Sequence, residues 1–565
     1  MTEGLDNTAY LRAVWIIPVL AFVTLFLGVW GWLDYRLPVD DALYRAVGLF
    51  VTDNDQYAQG VGLHDWRFRV GRWTAVAVVF STAFLALGAV LHQNLARSLA
   101  KRARQAVVVV GDDLLAPAAL GMARRAGHSA LWLGAAVFGS PSLKSIALPW
   151  PPEEHAQSVR VHARAADHVL IAHGDDAESL ALARAARAAS STAFVTVLMG
   201  DTELAEDAAA TVNEARTRVF SRASLAARAL HLTHPPFLAA RQLGHPRIHA
   251  LIVGFGQTGQ AIARDLIVNC RAAGLSLPRL TVIDPQAGAL ESVLRVRAPE
   301  LDDCCEPRFI EGEIGSRSVR PGPVQIGEAI REGGPITSAY VCLSNDAATL
   351  SAAVMLQSLL RSLDLMAPQI FARLGQAYLL DAAGAGARGL DALTPFGELG
   401  ALLEASQFLC DIPDDAARAF NEAYRAGLTH AQRDDPANRS ARPWEELDET
   451  YRQANRDAVA HIPAKLASAG IDPARWRSVV GLPQLQPGER IYANDAELEV
   501  LAELEHERWQ AQRRMDGWRR AEGPRKDEAR RLHPSLVPYR QLTDDIKEFD
   551  RAYVRQTAAA CGGAD

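Results

Sequence analysis

Cysteine is scarce in this chain: six in 565 residues, at positions 270, 304, 305, 342, 410 and 561, with no CxxC and no metal-like spacing to histidine. That pattern excludes a disulfide framework and gives no zinc-site signature, so reduced thiols are expected. Cys304 and Cys305 are adjacent and open to redox pairing, although packing at a strand edge suits them better. Excess positive charge is also missing. The 59 Lys and Arg are outnumbered by 66 Asp and Glu, for a net charge of −7, which supplies no general attraction to nucleic acid. No TVGYG-like stretch occurs, so a potassium filter of aligned carbonyls has no sequence basis. There is no Tyr-xxx-Lys pair and no substrate domain with a proton-transfer group, which argues against an oxidoreductase. No catalytic residue and no metal ligand is expected.

Apolar residues are plentiful, at 49%, enough for the cores of three or four domains. Two uncharged runs, Ala13 to Leu33 and Trp73 to Leu91, each approach the roughly 20 residues that cross a hydrocarbon core as a helix. Tryptophans 15, 30, 32 and 73 stand near their ends, where amphipathic rings favour the interface. A cleaved signal peptide fits poorly, because the first run is too long and its leading segment has one basic residue, Arg12. The intervening segment, Asp34 to Arg72, has the length of a pore loop. Asp41 to Phe50 reads as a short re-entrant helix, and Thr52, Asp53 and Asp55 are the pore candidates, the acids forming a ring in an oligomer. An ordinary extracytoplasmic loop fits the same residues. Arg97, Lys101, Arg102 and Arg104 favour a cytoplasmic side after the second run, against Arg36, Arg45, Arg67, Arg69 and Arg72 in the loop. The nucleotide-binding character of the remaining chain decides the matter and places both termini in the cytoplasm.

From Gln105 onward the pattern is α/β. Gln105 to Gly111 opens a first unit, and Ala130 to Leu133, Ser158 to Val161, His168 to Ala172 and Ala193 to Leu198 are further strand candidates separated by alanine-rich helices. Alternation of this kind implies a doubly wound parallel sheet. Its first turn places Asp112 and Asp113 where a pyrophosphate needs neutral donors, so this unit, 105–240, is read as degenerate.

The second unit, 246–407, carries the strongest local signal. A strand from His249 to Val253 runs into Gly254-Phe255-Gly256-Gln257-Thr258-Gly259. The first glycine permits the tight turn, the second admits a pyrophosphate close to the backbone, and the third lets the next helix pack on its strand. The helix from Thr258 to Cys270 aims its free N–H groups and positive dipole end at phosphates. A second strand, Leu280 to Asp284, ends in an acid at ribose spacing, which favours NAD(H) or an adenine nucleotide over a 2′-phosphorylated one. Arg308 to Glu313, Ser338 to Leu343 and Gln369 to Arg373 supply later strands. Ser344 and Asn345 follow one of them, either touching the nucleotide or capping the next helix.

Two spans, a basic connector and tandem Rossmann units with Gly254 to Gly259 and Asp284 resemble the RCK/KTN (TrkA-N-like) regulators of potassium channels and transporters. That resemblance implies a ring or pair of Rossmann domains that binds NAD(H), adenine nucleotides or ions and moves a pore. Further on, Leu504-Glu-His-Glu-Arg-Trp509, Met515-Asp-Gly-Trp-Arg519, Leu532-His-Pro-Ser-Leu-Val-Pro-Tyr539 and Asp550-Arg-Ala-Tyr553 resemble, in order, the RyR domain of ryanodine receptors. Its ligand candidates are His506, Trp509, Trp518, Arg519 and Tyr539, with Arg513 and Arg525 near phosphates. His506 and Glu507 lack the second histidine of a zinc helix, and core packing of both tryptophans is the plainer reading.

The expected organisation is therefore a multidomain chain: two transmembrane helices and a basic connector at 1–104, two doubly wound Rossmann-like domains at 105–240 and 246–407, a helical linker at 408–485 and an all-α RyR module at 490–560. The resemblances imply a nucleotide-regulated channel or channel-like effector in a bacterial inner membrane, homo-oligomeric (a dimer or tetramer) through its membrane and Rossmann parts. Expected partners are the bilayer and small nucleotides, not nucleic acid. A non-conducting membrane-anchored sensor is the alternative, and an NAD-dependent oxidoreductase is weaker still.

Overall fold

The computed structural model describes residues 3–51, 65–83, 106–111, 114–134, 145–149, 155–212, 216–315, 318–365, 368–375, 393–410, 414–436, 438–475, 485–486 and 488–561. By contact the chain divides into two compact units, residues 1–106 with 127–154, and residues 107–126 with 155–565. The expected domain at 105–240 is thus shared between them.

In the first unit the helix Glu3–Asp34 is followed by Val39–Gly48 and by a helix over residues 66–83. Their contact is close because of two glycines. A Cβ on Gly28 would lie 2.8 Å from that of Ala46, and one on Gly31 would lie 2.6 Å from the Phe68 ring. Trp32, Ala42 and Phe68 form the small buried cluster beside them. Thr24 donates to Thr74 at 2.7 Å, and Arg67 is held by Asp34 at 2.8 Å and Asp65 at 2.7 Å. Ile16–Asp34 is the one segment among the described residues long and apolar enough to cross a membrane, with mean hydropathy 2.2. Its outer face exposes Val19, Phe22, Phe26 and Trp30. The second expected span begins inside the helix over 66–83, and its remainder lies outside the described residues, as do Thr52, Asp53 and Asp55. Ala130–Gly134 and Ser145–Pro149 pair in parallel in this unit.

Among the described residues the second unit holds two large parallel sheets and a two-residue parallel pair, Arg519–Arg520 with Leu532–His533. In the first, Val107–Val110, His168–Ile171, Phe194–Met199 and Thr217–Ser221 lie side by side in that order. Val107 to Val110 are four buried valines, as suits a strand covered on both faces. Ser158 to Val161 belongs to the helix His155–Ala163, not to a strand. Its buried residues, His155, Val159 and Ala163, recur every fourth position, the period of a helix. In the second sheet the order is Leu393–Phe396, Gln369–Arg373, Ser338–Val341, Arg247–Val253, Ser276–Asp284, Glu306–Glu311. The chain reverses direction of winding beside Arg247–Val253, so the crevice at its carboxyl end is the ligand position of this architecture. Leu251, Val253, Ala339, Val341, Leu356 and Ile370 fill the core beneath it.

Beyond the sheets, the expected linker is a packed helical layer. Trp444, Leu447 and Tyr451 bury against Ala417, and the helices Asp415–Gly427, Glu449–Ala460 and Ile462–Ser468 lie against the C-terminal helices Asp495–Met515 and Asp544–Ala560.

Candidate functional site

The fingerprint turn has the geometry its glycines require. Gly254 adopts φ +88°, a conformation costly for other residues, and an added Cβ would lie 2.8 Å from the Cys342 carbonyl oxygen. A Cβ on Gly259 would collide with the Gly254 carbonyl oxygen, so this glycine sets how closely the helix approaches the turn. Gly256 differs: its φ of −71° is ordinary, it is the N-cap of the helix Gln257–Asn269, and a Cβ there would meet nothing within 4 Å. Open space therefore stands where a phosphate would approach the exposed N–H groups of the helix.

Asp284 ends its strand against this turn. One carboxylate oxygen accepts from the Phe255 N–H and the other from the Gln286 N–H, each at 2.8 Å. The acid thereby fixes the turn, and each oxygen retains a lone pair for a ribose hydroxyl. The Phe255 side chain is buried and meets Phe309 edge-on at 5.2 Å, so Phe255 offers a ligand only its backbone. Gln257 is engaged elsewhere, accepting from the Thr202 N–H at 2.9 Å. Asn345 caps the helix Asp346–Ser362 by accepting from the Ala348 N–H at 2.8 Å, which is the capping role, and Ser344 beside it is exposed.

A cleft of about 280 Å³ adjoins the fingerprint helix, lined by Thr258, Arg222, Asp346, Arg373, Gly375 and Gly397 among others. Sequence reasoning missed Arg222 and Arg373 because they reach it from separate segments. The two halves of this unit are built alike there. Asp346 accepts from the Gly375 N–H at 3.0 Å, and Asp176, at the corresponding place in the first sheet, accepts from the Gly200 and Asp201 N–H groups at 2.9 and 2.8 Å. Asp112 and Asp113 lie outside the described residues.

Thiol chemistry has little support. Cys304 and Cys305 are buried, and burial pushes the Cys304 thiol up to about 11 and raises that of Cys305 as well. His231, Asp265 and Cys270 are close enough to hold a metal ion. Two of them are hydrogen-bonded within the protein, His231 lying 2.7 Å from Asp265 and 3.2 Å from the Tyr340 hydroxyl, with Asn269 donating to Asp265.

A second cavity, about 320 Å³, lies between the helical layer and the C-terminal helices. His506 and Trp509 line it, stacked with ring centroids 5.4 Å apart. His506 Nε2 donates to the Val537 carbonyl at 2.9 Å, and its Nδ1 lies 3.2 Å from Asp550. The other three candidates stand away from the lining. Trp518 is buried behind Arg513 and Lys526, Tyr539 donates its hydroxyl to Glu499, and Arg519 is exposed on a two-residue strand. Arg525 is exposed and also outside the lining, whereas Arg513 lines the cavity. Sequence reasoning did not find Tyr451, Lys526 or His533, since Tyr451 comes from the helical layer and no local motif links it to the others.

The two regions are joined by ion pairs. Arg264, on the fingerprint helix, reaches Asp516 at 2.6 Å and Asp457 at 3.7 Å. Arg514 reaches Glu300 at 3.0 Å, whose second oxygen accepts from the Arg520 N–H. Burial opposes the charge on Arg264, but Asp516 and Asp457 outweigh it and raise its pKa.

Residues 493–562 match the RyR domain family. Among solved structures the chain is similar to the GsuK channel at 14% identity, covering 71% of this chain and 98% of that one, with a TM-score of 0.32. It is similar also to the GsuK channel bound to NAD, at 12% identity, 71% and 83% coverage and a TM-score of 0.33. For the GsuK RCK domain the values are 12%, 56%, 79% and 0.33. No curated protein matches the chain.

Proposed function

We propose that this protein is a membrane effector regulated by nucleotide: NAD(H) or an adenine nucleotide binds at Gly254 to Gly259, and a further ligand binds at the RyR module. The observation that carries this reading is the open Gly256 position at a helix N-terminus, beside an Asp284 already held to the turn. Oriented N–H groups there suit a pyrophosphate, and the carboxylate suits ribose hydroxyls while repelling a 2′-phosphate.

On this reading the role is regulatory, not catalytic. The ligand biases the second unit between two arrangements, for which it must bind them with different affinity. The output is movement of the N-terminal helices, with residues 73–91 as a second span, both termini cytoplasmic in a bacterial inner membrane, and a homo-oligomer enclosing an ion path near Thr52, Asp53 and Asp55. The apolar outer face of Ile16–Asp34 supports a lipid-facing role for that helix. A non-conducting sensor that signals through partners would share the nucleotide site and lack the flux.

The test uses the full chain in liposomes and in detergent. NAD(H) or an adenine nucleotide is expected to bind at one site per chain and to alter ion flux. Binding without flux selects the non-conducting sensor, and absence of binding by NAD, NADH, ADP and ATP removes the nucleotide reading altogether. Turnover of NADH with a substrate would restore the oxidoreductase.

A further inference from the structure

The cavity beside His506 is lined by a cation, Arg513, that forms no ion pair among the described residues. Arg513 is 6% exposed, and its Nε and Nη1 have no hydrogen-bond acceptor among the described residues. Burying guanidinium N–H groups unpaired is costly, and an anion is what would relieve it. The guanidinium stands over two rings, 5.4 Å from Tyr451 and 5.5 Å from Trp518. Lys526 stands over the same two rings, at 5.2 and 5.1 Å.

The nearby acids are already engaged. Lys526 donates to Glu528 and to the Tyr451 hydroxyl, each at 2.8 Å, and Tyr451 donates to Glu528 at 2.7 Å. Arg439 also pairs with Glu528, at 3.4 Å, and more closely with Asp448, at 2.7 Å. Glu505 is held by Arg508 at 2.9 Å and Lys465 at 2.7 Å, and Asp550 faces His506. The local balance is therefore positive. His533 registers it: burial and the charges of Arg513 and Lys526 push its pKa down to about 3.

The remaining walls are flat and polar. Trp509 meets His533 edge-on at 4.9 Å, and Tyr424 and Phe549, also in the lining, lie 5.3 Å apart. Asn421, Asn438 and Ser440 are also in the lining, Asn421 donating to the Arg442 carbonyl and Ser440 to Asn438. A volume of about 320 Å³ is at the small end of the range for organic ligands.

We propose that this cavity binds a phosphate monoester carried on a planar ring, a ligand of the mononucleotide class, with its phosphate at Arg513 and Lys526 and its ring among Trp509, Tyr424 and Phe549. Arg513, with no carboxylate of its own among the described residues, and Lys526, whose Glu528 is shared with Arg439, together favour an anion, and the aromatic rings of the lining favour a flat, stackable body. Tyr451, Tyr424 and Asn421 belong to the layer before residue 493, so the matched domain by itself forms only one wall. This proposal rests on reading the module as a ligand sensor, and it names the ligand's chemistry.

The test is calorimetric titration of the full chain in detergent with AMP, GMP, CMP and UMP, performed on the Gly256→Asp variant so that the fingerprint turn is closed. At least one mononucleotide is expected to bind. Its nucleoside is expected to bind at least tenfold more weakly, and inorganic phosphate to compete. Adding Arg513→Gln should weaken binding at least tenfold. Because Arg513 is buried, Lys526→Gln serves as a second variant, with a loss of several-fold expected. The proposal is overturned if none of the four binds, if nucleoside and nucleotide bind alike, or if neither variant matters. Mononucleotide binding abolished by Gly256→Asp alone would assign it to the fingerprint turn, overturning this proposal and leaving the proposed function intact.

Discussion

Gly256→Asp should separate folding from binding. The position is exposed, its φ is −71°, and an added Cβ would touch nothing within 4 Å. Aspartate is moreover a better N-cap than glycine by a few tenths of a kcal/mol, and its charge favours the helix dipole by about 0.3–1 kcal/mol. The folded chain should thus be as stable as the wild type or slightly more so. For a phosphate the same carboxylate is repulsive. At about 5 Å and an effective dielectric constant near 20, two unit charges repel by about 3 kcal/mol, which corresponds to about a hundredfold loss of affinity. Gly254→Ala is the contrast: its φ of +88° and the 2.8 Å approach to the Cys342 carbonyl should cost about 1–3 kcal/mol of stability. The assay is NAD titration by calorimetry, with thermal melting in parallel. Unchanged affinity in a stably folded Gly256→Asp protein would refute placement of the nucleotide at this turn.

Glu505→Gln should loosen the helical layer, because Lys465 at 0% exposure and Arg508 at 1% would lose the carboxylate they share; the expected cost is about 3–5 kcal/mol. Amide exchange in Asp495–Met515 measures it, and unaltered protection would count against the network. Burial depresses His249 and His461 to about 4, and both are fully buried. As pH falls from about 6.5 toward 4 the unfolded chain takes up protons that the folded chain refuses, so stability is lost over that window, on the order of 3 kcal/mol per histidine. A melting temperature higher at pH 5 than at pH 7.5 would contradict this sign. Asp516→Asn should leave NAD affinity nearly intact while weakening its coupling to the C-terminal cavity, since Arg264 loses its 2.6 Å partner. The readout is the ratio of NAD Kd values with and without saturating AMP; a ratio equal to that of the wild type would exclude this ion pair as the route.

Much of the geometry of the fingerprint turn was legible in the sequence, because its determinants are local. Gly254, Gly256, Gly259 and Asp284 act through backbone conformation and strand position, and Gln369–Arg373 appears at its expected bounds. The RyR match at 493–562 was also readable from consecutive motifs. Ser145–Pro149, Thr217–Ser221 and Leu393–Phe396 escaped notice because short strands of mixed polarity lack a period of their own. Tertiary structure alone decided which polar groups remain unpaired. Arg513 and Tyr451 are 62 positions apart in the chain, and only packing sets the guanidinium 5.4 Å from that ring with no acceptor among the described residues for two of its nitrogen atoms. Sequence supplies charges and local geometry; which charges are desolvated, and which of those lack a counter-charge, depends on contacts between distant segments.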